Sequence, residues 1–171
     1  MATVNQVYGT YGALAVTALQ SLASSATVGW KSALQNLQTS RKPLDVEIFV
    51  SLTTANTAPA NDKAVYIYIC PAMTTDGGTT WMYSDGGTAT MPTDGDATYT
   101  IASPNDLKLL GVLNYTTQVN QAVAMQGSFN LSNAVGQSMP DGFLIIIVNY
   151  SGAALYTSCV VATRDITHTV A

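Results

Sequence analysis

The fold turns on "LDVEIFVSLTT", Leu44 to Thr54. Leu44, Val46, Ile48, Val50 and Leu52 fall on one side of an extended chain, and Asp45, Glu47, Phe49 and Ser51 fall on the other. A period of two marks a strand with one face in a core, and β-branched and aromatic residues fill it here. "KAVYIYIC", Lys63 to Cys70, repeats the pattern with Val65, Ile67 and Ile69 inward and Tyr66 and Tyr68 outward. The polar, proline-bearing "TANTAPAND" between the two is expected to close a hairpin.

The same signal recurs toward the C-terminus in "ATYTIAS", "LKLLGVLNYTT", "NQAVAMQGSFNLS", "GFLIIIVNYS" and "ALYTSCVVATR". Short strands at about ten-residue spacing, separated by Gly, Pro, Asp and Asn, predict an all-β sandwich or barrel. "FLIIIVNYSGAALYTSCVV" reads as a second hairpin around "NYSGA". Its first arm is apolar on both faces and should lie mid-sheet, covered on both sides. In the N-terminal third, "ALAVTALQSLASSATVGWKSALQNL" fits a helix through Leu14, Ala18 and Leu22. It also fits two strands, since Ala26, Val28, Trp30, Ser32 and Leu34 alternate. Gly29 and the density of Thr, Val and Ser favour strands. The expectation is eight or nine strands, little helix and one domain: residues 1–22 as an arm or first strand, then a sandwich over 23–171.

Composition narrows the function. Only 9% of the 171 residues are charged, against about 25% in an average soluble domain. Charged side chains normally keep sheet edges and lone domains apart, so a charge-poor surface suits a subunit of an assembly. A net charge of -4, with Arg41-Lys42 the only adjacent basic pair, argues against nucleic acid. The longest apolar run, Phe143 to Val148, is far short of a spanning helix, so no membrane is expected. The first 22 residues lack a basic start and a small-residue cleavage site, so no secretory leader is expected. Cys70 and Cys159 are then expected as buried thiols, with a disulfide closing a long loop between them as the alternative.

Catalysis finds little to work with. The only histidine, His168, lies near the end of the chain, and the only glutamate, Glu47, sits mid-strand on the polar face. No phosphate loop or zinc spacing is present, so no enzyme, metal or cofactor is expected. The span "TTDGGTTWMYSDGGTATMPTDGD" holds the remaining candidates. Asp94 and Asp96, with Asp76 and Asp85, offer hard oxygens for calcium, but the ordered EF-hand pattern is missing. Asp-Gly pairs are also the residues tight turns demand. Trp81 and Tyr83, between two "DGG" runs, suit either a sugar platform or a cap on the end of the core. Trp81, Tyr83, Asp94 and Asp96 are therefore the candidate loop contacts. The sequons at Asn114, Asn130 and Asn149 matter only on a secretory route.

The order of these pieces resembles a family of tailed-bacteriophage virion proteins. The likeness rests on "DVEIFVSLTTANTAPANDKAVYIYICPAMTTDGGTTW" and on "MPDGFLIIIVNYSGAAL", where Pro140, Gly142 to Val148, Asn149, Ser151 and Gly152 to Leu155 occupy matching positions. "LLGVLNYTTQVNQAVAMQGSFNLSNAVGQSMP" fits between them, and the whole covers roughly residues 40 to 160. Phe143 stands where the family usually has Trp, and "SDGGTATMPTDGD" is longer than typical. The resemblance implies a jelly-roll-like sandwich without catalysis: a capsid decoration or cement protein, a homotrimer bound to the major capsid protein. Its place would be the virion, assembled in the host bacterial cytoplasm. A tail or fibre component with receptor or saccharide contact is the alternative, and a secreted carbohydrate-binding module is the third.

Overall fold

The structure, a computed structural model, describes residues 4–38, 43–55, 63–83, 94–101, 107–114, 122–136 and 138–170. These residues hold β1 (Val4–Tyr8), β2 (Gly12–Ala13), β3 (Val28–Lys31), β4 (Gln35–Asn36), β5 (Asp45–Thr53) and β6 (Val65–Met73). They continue with β7 (Met82–Tyr83), β8 (Ala97–Thr100), β9 (Lys108–Leu113), β10 (Ala124–Asn130), the short helix α1 (Ser132–Val135), β11 (Gly142–Asn149) and β12 (Val160–Val170). The protein is all-β, as its periodicity predicts. Three of these strands are two residues long. β3, β5, β6 and β8 to β11 fall on stretches read as strands, β1 lies within the expected arm or first strand, and β12 starts inside "ALYTSCVVATR" and runs six residues past it.

Two antiparallel sheets face each other. In the five-stranded sheet, β1 and β2 share one edge of β12, followed on its other edge by β5 and then β10. In the seven-stranded sheet, β9 and β7 share one edge of β6, followed on its other edge by β11, then β3 and β4, with β8 beyond β3. Counting β1/β2 and β3/β4 as one strand each, and setting β7 and β8 aside as additions, the first strand pairs with the last. The second then pairs with the seventh, the third with the sixth and the fourth with the fifth. That nesting is one long antiparallel hairpin rolled into two sheets, a jelly roll.

The rolling overturns both expected hairpins. β5 and β6 lie in opposite sheets, and so do β11 and β12. Each connection crosses the sandwich, a span of about 10 Å that a short polar loop bridges as readily as it turns a hairpin. Apolar runs and loop length look the same in both cases. Residues 56–62 of the first connection lie outside the described residues.

The main core fills the space between the sheets. Val46, Ile48, Val50 and Leu52 from β5 meet Val65, Ile67 and Ile69 from β6 and Phe143, Ile145 and Ile147 from β11, with Trp30 fully buried among them. Leu44, expected inward, precedes β5 and is 53% exposed. The N-terminal third is neither a helix nor two full strands. Between β2 and β3 the chain makes turns, with the Leu19 and Gln20 amides donating to the Val16 carbonyl, and it drops Leu19 and Leu22 into the core. Gly29 is required in β3 by close approach: a Cβ there would stand 2.6 Å from the Ile147 carbonyl oxygen.

A second apolar cluster lies on the outer face of the seven-stranded sheet. Cys70, Leu144, Ile146 and Val148 are covered there by Ile101 and Leu107, with Leu34, Tyr66, Tyr68, Tyr83 and Tyr99 packed around them. β11 is thus buried along its whole length on both faces, as its unbroken apolar sequence predicts.

Candidate functional site

The Asp-, Gly- and Thr-rich loops are built as clasps. Asp96 accepts the Thr17 amide at 2.6 Å, the Ala18 amide at 3.1 Å and the Trp30 indole N–H at 2.6 Å. Burial alone would raise its pKa, but the indole and the two amides outweigh that and hold it below the usual carboxylate range. Asp94 accepts the Leu34 amide at 2.7 Å, and the Lys31 ammonium donates to the Gly95 carbonyl at 2.7 Å. Lys31 is 3% exposed, and desolvation lowers its pKa against the pull of Asp94 and Asp96. The "DGD" sequence therefore ties the N-terminal turns and β3 together. Asp76 closes its own loop in the same way, accepting the Thr79 and Thr80 amides and the Thr74 hydroxyl, which hold it far below its ordinary pKa.

Trp81 is half-buried. Its indole N–H donates to the Gly78 carbonyl at 3.0 Å, and its ring lies so close to Gly142 that a Cβ there would come within 2.9 Å. Tyr83 packs into the outer apolar cluster, where burial raises its pKa. The four candidate loop contacts thus do not converge on one ligand position: Trp81 caps the start of β11, Tyr83 covers the outer cluster, and Asp94 and Asp96 bind backbone and indole N–H groups. Asp85 lies outside the described residues. Among the described residues, no three His, Cys, Asp or Glu side chains gather as metal ligands would. His168 stands exposed on β12 opposite Gln6. Both cysteines are buried thiols, Cys159 in the main core and Cys70 in the outer cluster. Asn149 is fully buried, its amide donating to the Leu22 and Ala153 carbonyls.

What faces outward lies elsewhere. β5 pairs with β12 only as far as Ile166, and among the described residues β12 has β1 alone for company beyond that point. Val4, Asn5, Gln6, Val7 and Tyr8 are all exposed on this two-stranded ribbon, which carries no Lys, Arg, Asp or Glu from Val4 to Tyr8 or from Thr167 to Val170. Where the ribbon joins the sandwich, Arg164 pairs with Glu47 at 2.5 Å and lies 4.7 Å from the Tyr8 ring and 4.5 Å from the Tyr11 ring. The Ser128 hydroxyl donates to the same carboxylate, and with Arg164 it keeps the Glu47 pKa low against the cost of burial. Glu47 thereby anchors the N-terminal strand.

On the opposite side of the molecule, Tyr66 and Tyr68 lie with ring centroids 6.3 Å apart and planes 24° from parallel. With Tyr150, Val148, Ile101 and Ala26 they line a pocket of about 220 Å³. The alternation of "VYIYIC" predicts that Tyr66 and Tyr68 point outward. Their meeting with Tyr150 depends on β6 and β11 being neighbours, which no local pattern reveals. No protein-family model, curated protein or solved structure matches the chain.

Proposed function

We propose that this chain is a non-enzymatic structural protein of a tailed-phage virion, a decoration or cement protein that docks on the assembled head as a homotrimer. The observation that carries the reading is the uncharged ribbon of β1 and the end of β12, with Val4 58% and Tyr8 51% exposed. A two-stranded ribbon is only marginally stable in water, and a lone protein guards such an edge with charge or proline. This ribbon has neither, which suits a strand awaiting a protein partner. The resemblance to phage virion proteins and the jelly roll, an architecture that viral capsids share with lectins, support the same reading.

The mechanism is thermodynamic. A protein that binds only the mature shell stabilises it by mass action. A trimer adds avidity, because its second and third contacts are effectively intramolecular. The low charge helps, since few ions need desolvating at the contact. Purified protein mixed with expanded, tail-free heads should bind stoichiometrically and raise their disruption temperature, and deleting residues 1–8 should abolish uptake. Uptake by isolated tails but not by heads would replace this reading with the tail or fibre one.

A further inference from the structure

We propose that the tyrosine pocket on the outer face of the seven-stranded sheet is a binding site for one carboxylate-bearing sugar ring, such as a uronic acid unit of an acidic glycan. The floor is apolar, with the buried Val148 and Ile101, while Tyr66, Tyr68, Tyr150 and the exposed Ala26 complete the lining. Among the described residues, the hydroxyls of these three tyrosines have no hydrogen-bond partner. A phenol both donates and accepts, so three of them beside an apolar floor suit a ligand with one C–H face and a rim of hydroxyls. A pyranose ring has that shape. The Tyr66 and Tyr68 rings, stacked 24° from parallel, offer an aromatic face for its C–H face to pack on.

Charge selects the acid. The Lys63 ammonium sits 4.6 Å from the centre of the ring of Tyr150, a residue that lines the pocket. Among the described residues, no Asp or Glu lines the pocket, so the charge that they offer an arriving carboxylate is the Lys63 cation. At about 220 Å³ the pocket is smaller than the usual ligand cleft of roughly 300–1,000 Å³, which fits a single ring better than a chain. Trp81, the aromatic residue that the sequence puts forward for sugar binding, has its N–H bonded to Gly78 and its ring against Gly142, so it takes no part.

The test is an NMR titration of the full chain with D-glucuronate and with D-glucose. Glucuronate should show saturation transfer and shift the Tyr66, Tyr68 and Tyr150 ring resonances, binding roughly threefold more tightly than glucose, the margin of an exposed ion pair. Tyr68→Ala should weaken binding roughly tenfold, the worth of an aromatic contact. Tyr68→Phe, which keeps the ring and the fold, should weaken it by a smaller factor. Lys63→Gln should erase the preference for the acid, and Trp81→Ala should change nothing. The proposal is overturned if neither sugar perturbs these tyrosines, if glucose binds as well as glucuronate, or if Tyr68→Ala and Tyr68→Phe both bind like the parent.

Discussion

β5 and β11 are the central strands of their sheets, and they differ in what lies behind them. β5 alternates buried and half-buried residues: behind it, among the described residues, Glu47 meets Arg164 and Ser128, and Phe49 meets Tyr11. β11 is buried throughout, because a second apolar cluster covers its back. One sheet thus keeps a polar, ionic outer face and the other a dry one. A strand's second face reports whether the chain folds another layer over it.

The largest effect expected from this contrast is at the adjacent residues Ile147 and Ile146, which face opposite sides of β11 and are both fully buried. Truncation of either to Ala should cost about 2–5 kcal/mol in urea unfolding. A loss at Ile146 far below that at Ile147 would show that the outer cluster is not a true core. Next is Gly29→Ala, whose new methyl would press on the Ile147 backbone and should cost about 1–3 kcal/mol. Normal stability there would mean that β3 can move away from β11.

Asp96→Ala leaves the Trp30 indole and two amides without their acceptor and should cost about 1–3 kcal/mol. Asp96 and Glu47 both have folded-state pKa values below their ordinary ones, so at acid pH the unfolded chain takes up more protons. Their contribution is therefore present above the ordinary carboxylate range and lost as pH falls through it. Asp96→Asn should flatten that acid limb in melts between about pH 5 and 3, and an unchanged limb would remove Asp96 from the account. The smallest effect is at the polar face. Glu47→Gln should cost about 0–1 kcal/mol, and the loss should shrink with added salt. A larger, salt-independent loss would mean that the polar face is as buried as its counterpart.

Alternation in β5 and β6 and the unbroken apolar run of β11 made strand identity and central placement legible before any coordinates. Sheet membership was not legible, since "TANTAPAND" and "NYSGA" serve a crossing as well as a turn. Nor were the roles of Asp94 and Asp96 legible, because their partners at Thr17, Ala18, Trp30 and Leu34 are more than fifty residues away in the chain. Aspartates read as turn formers by type proved to be long-range hydrogen-bond acceptors by position.

The nested pairing also sets when the molecule can assemble. β11 and β12 are made after every strand that they pair with, and each lies between neighbours in its own sheet, so a nascent chain lacking residues 142–170 can complete neither sheet. Contacts of such long sequence separation make folding slow, and the waiting strands are open to wrong partners. Folding is then expected to follow synthesis and to gain from chaperone shelter, and a ribosome stalled before β11 should hold a protease-sensitive chain.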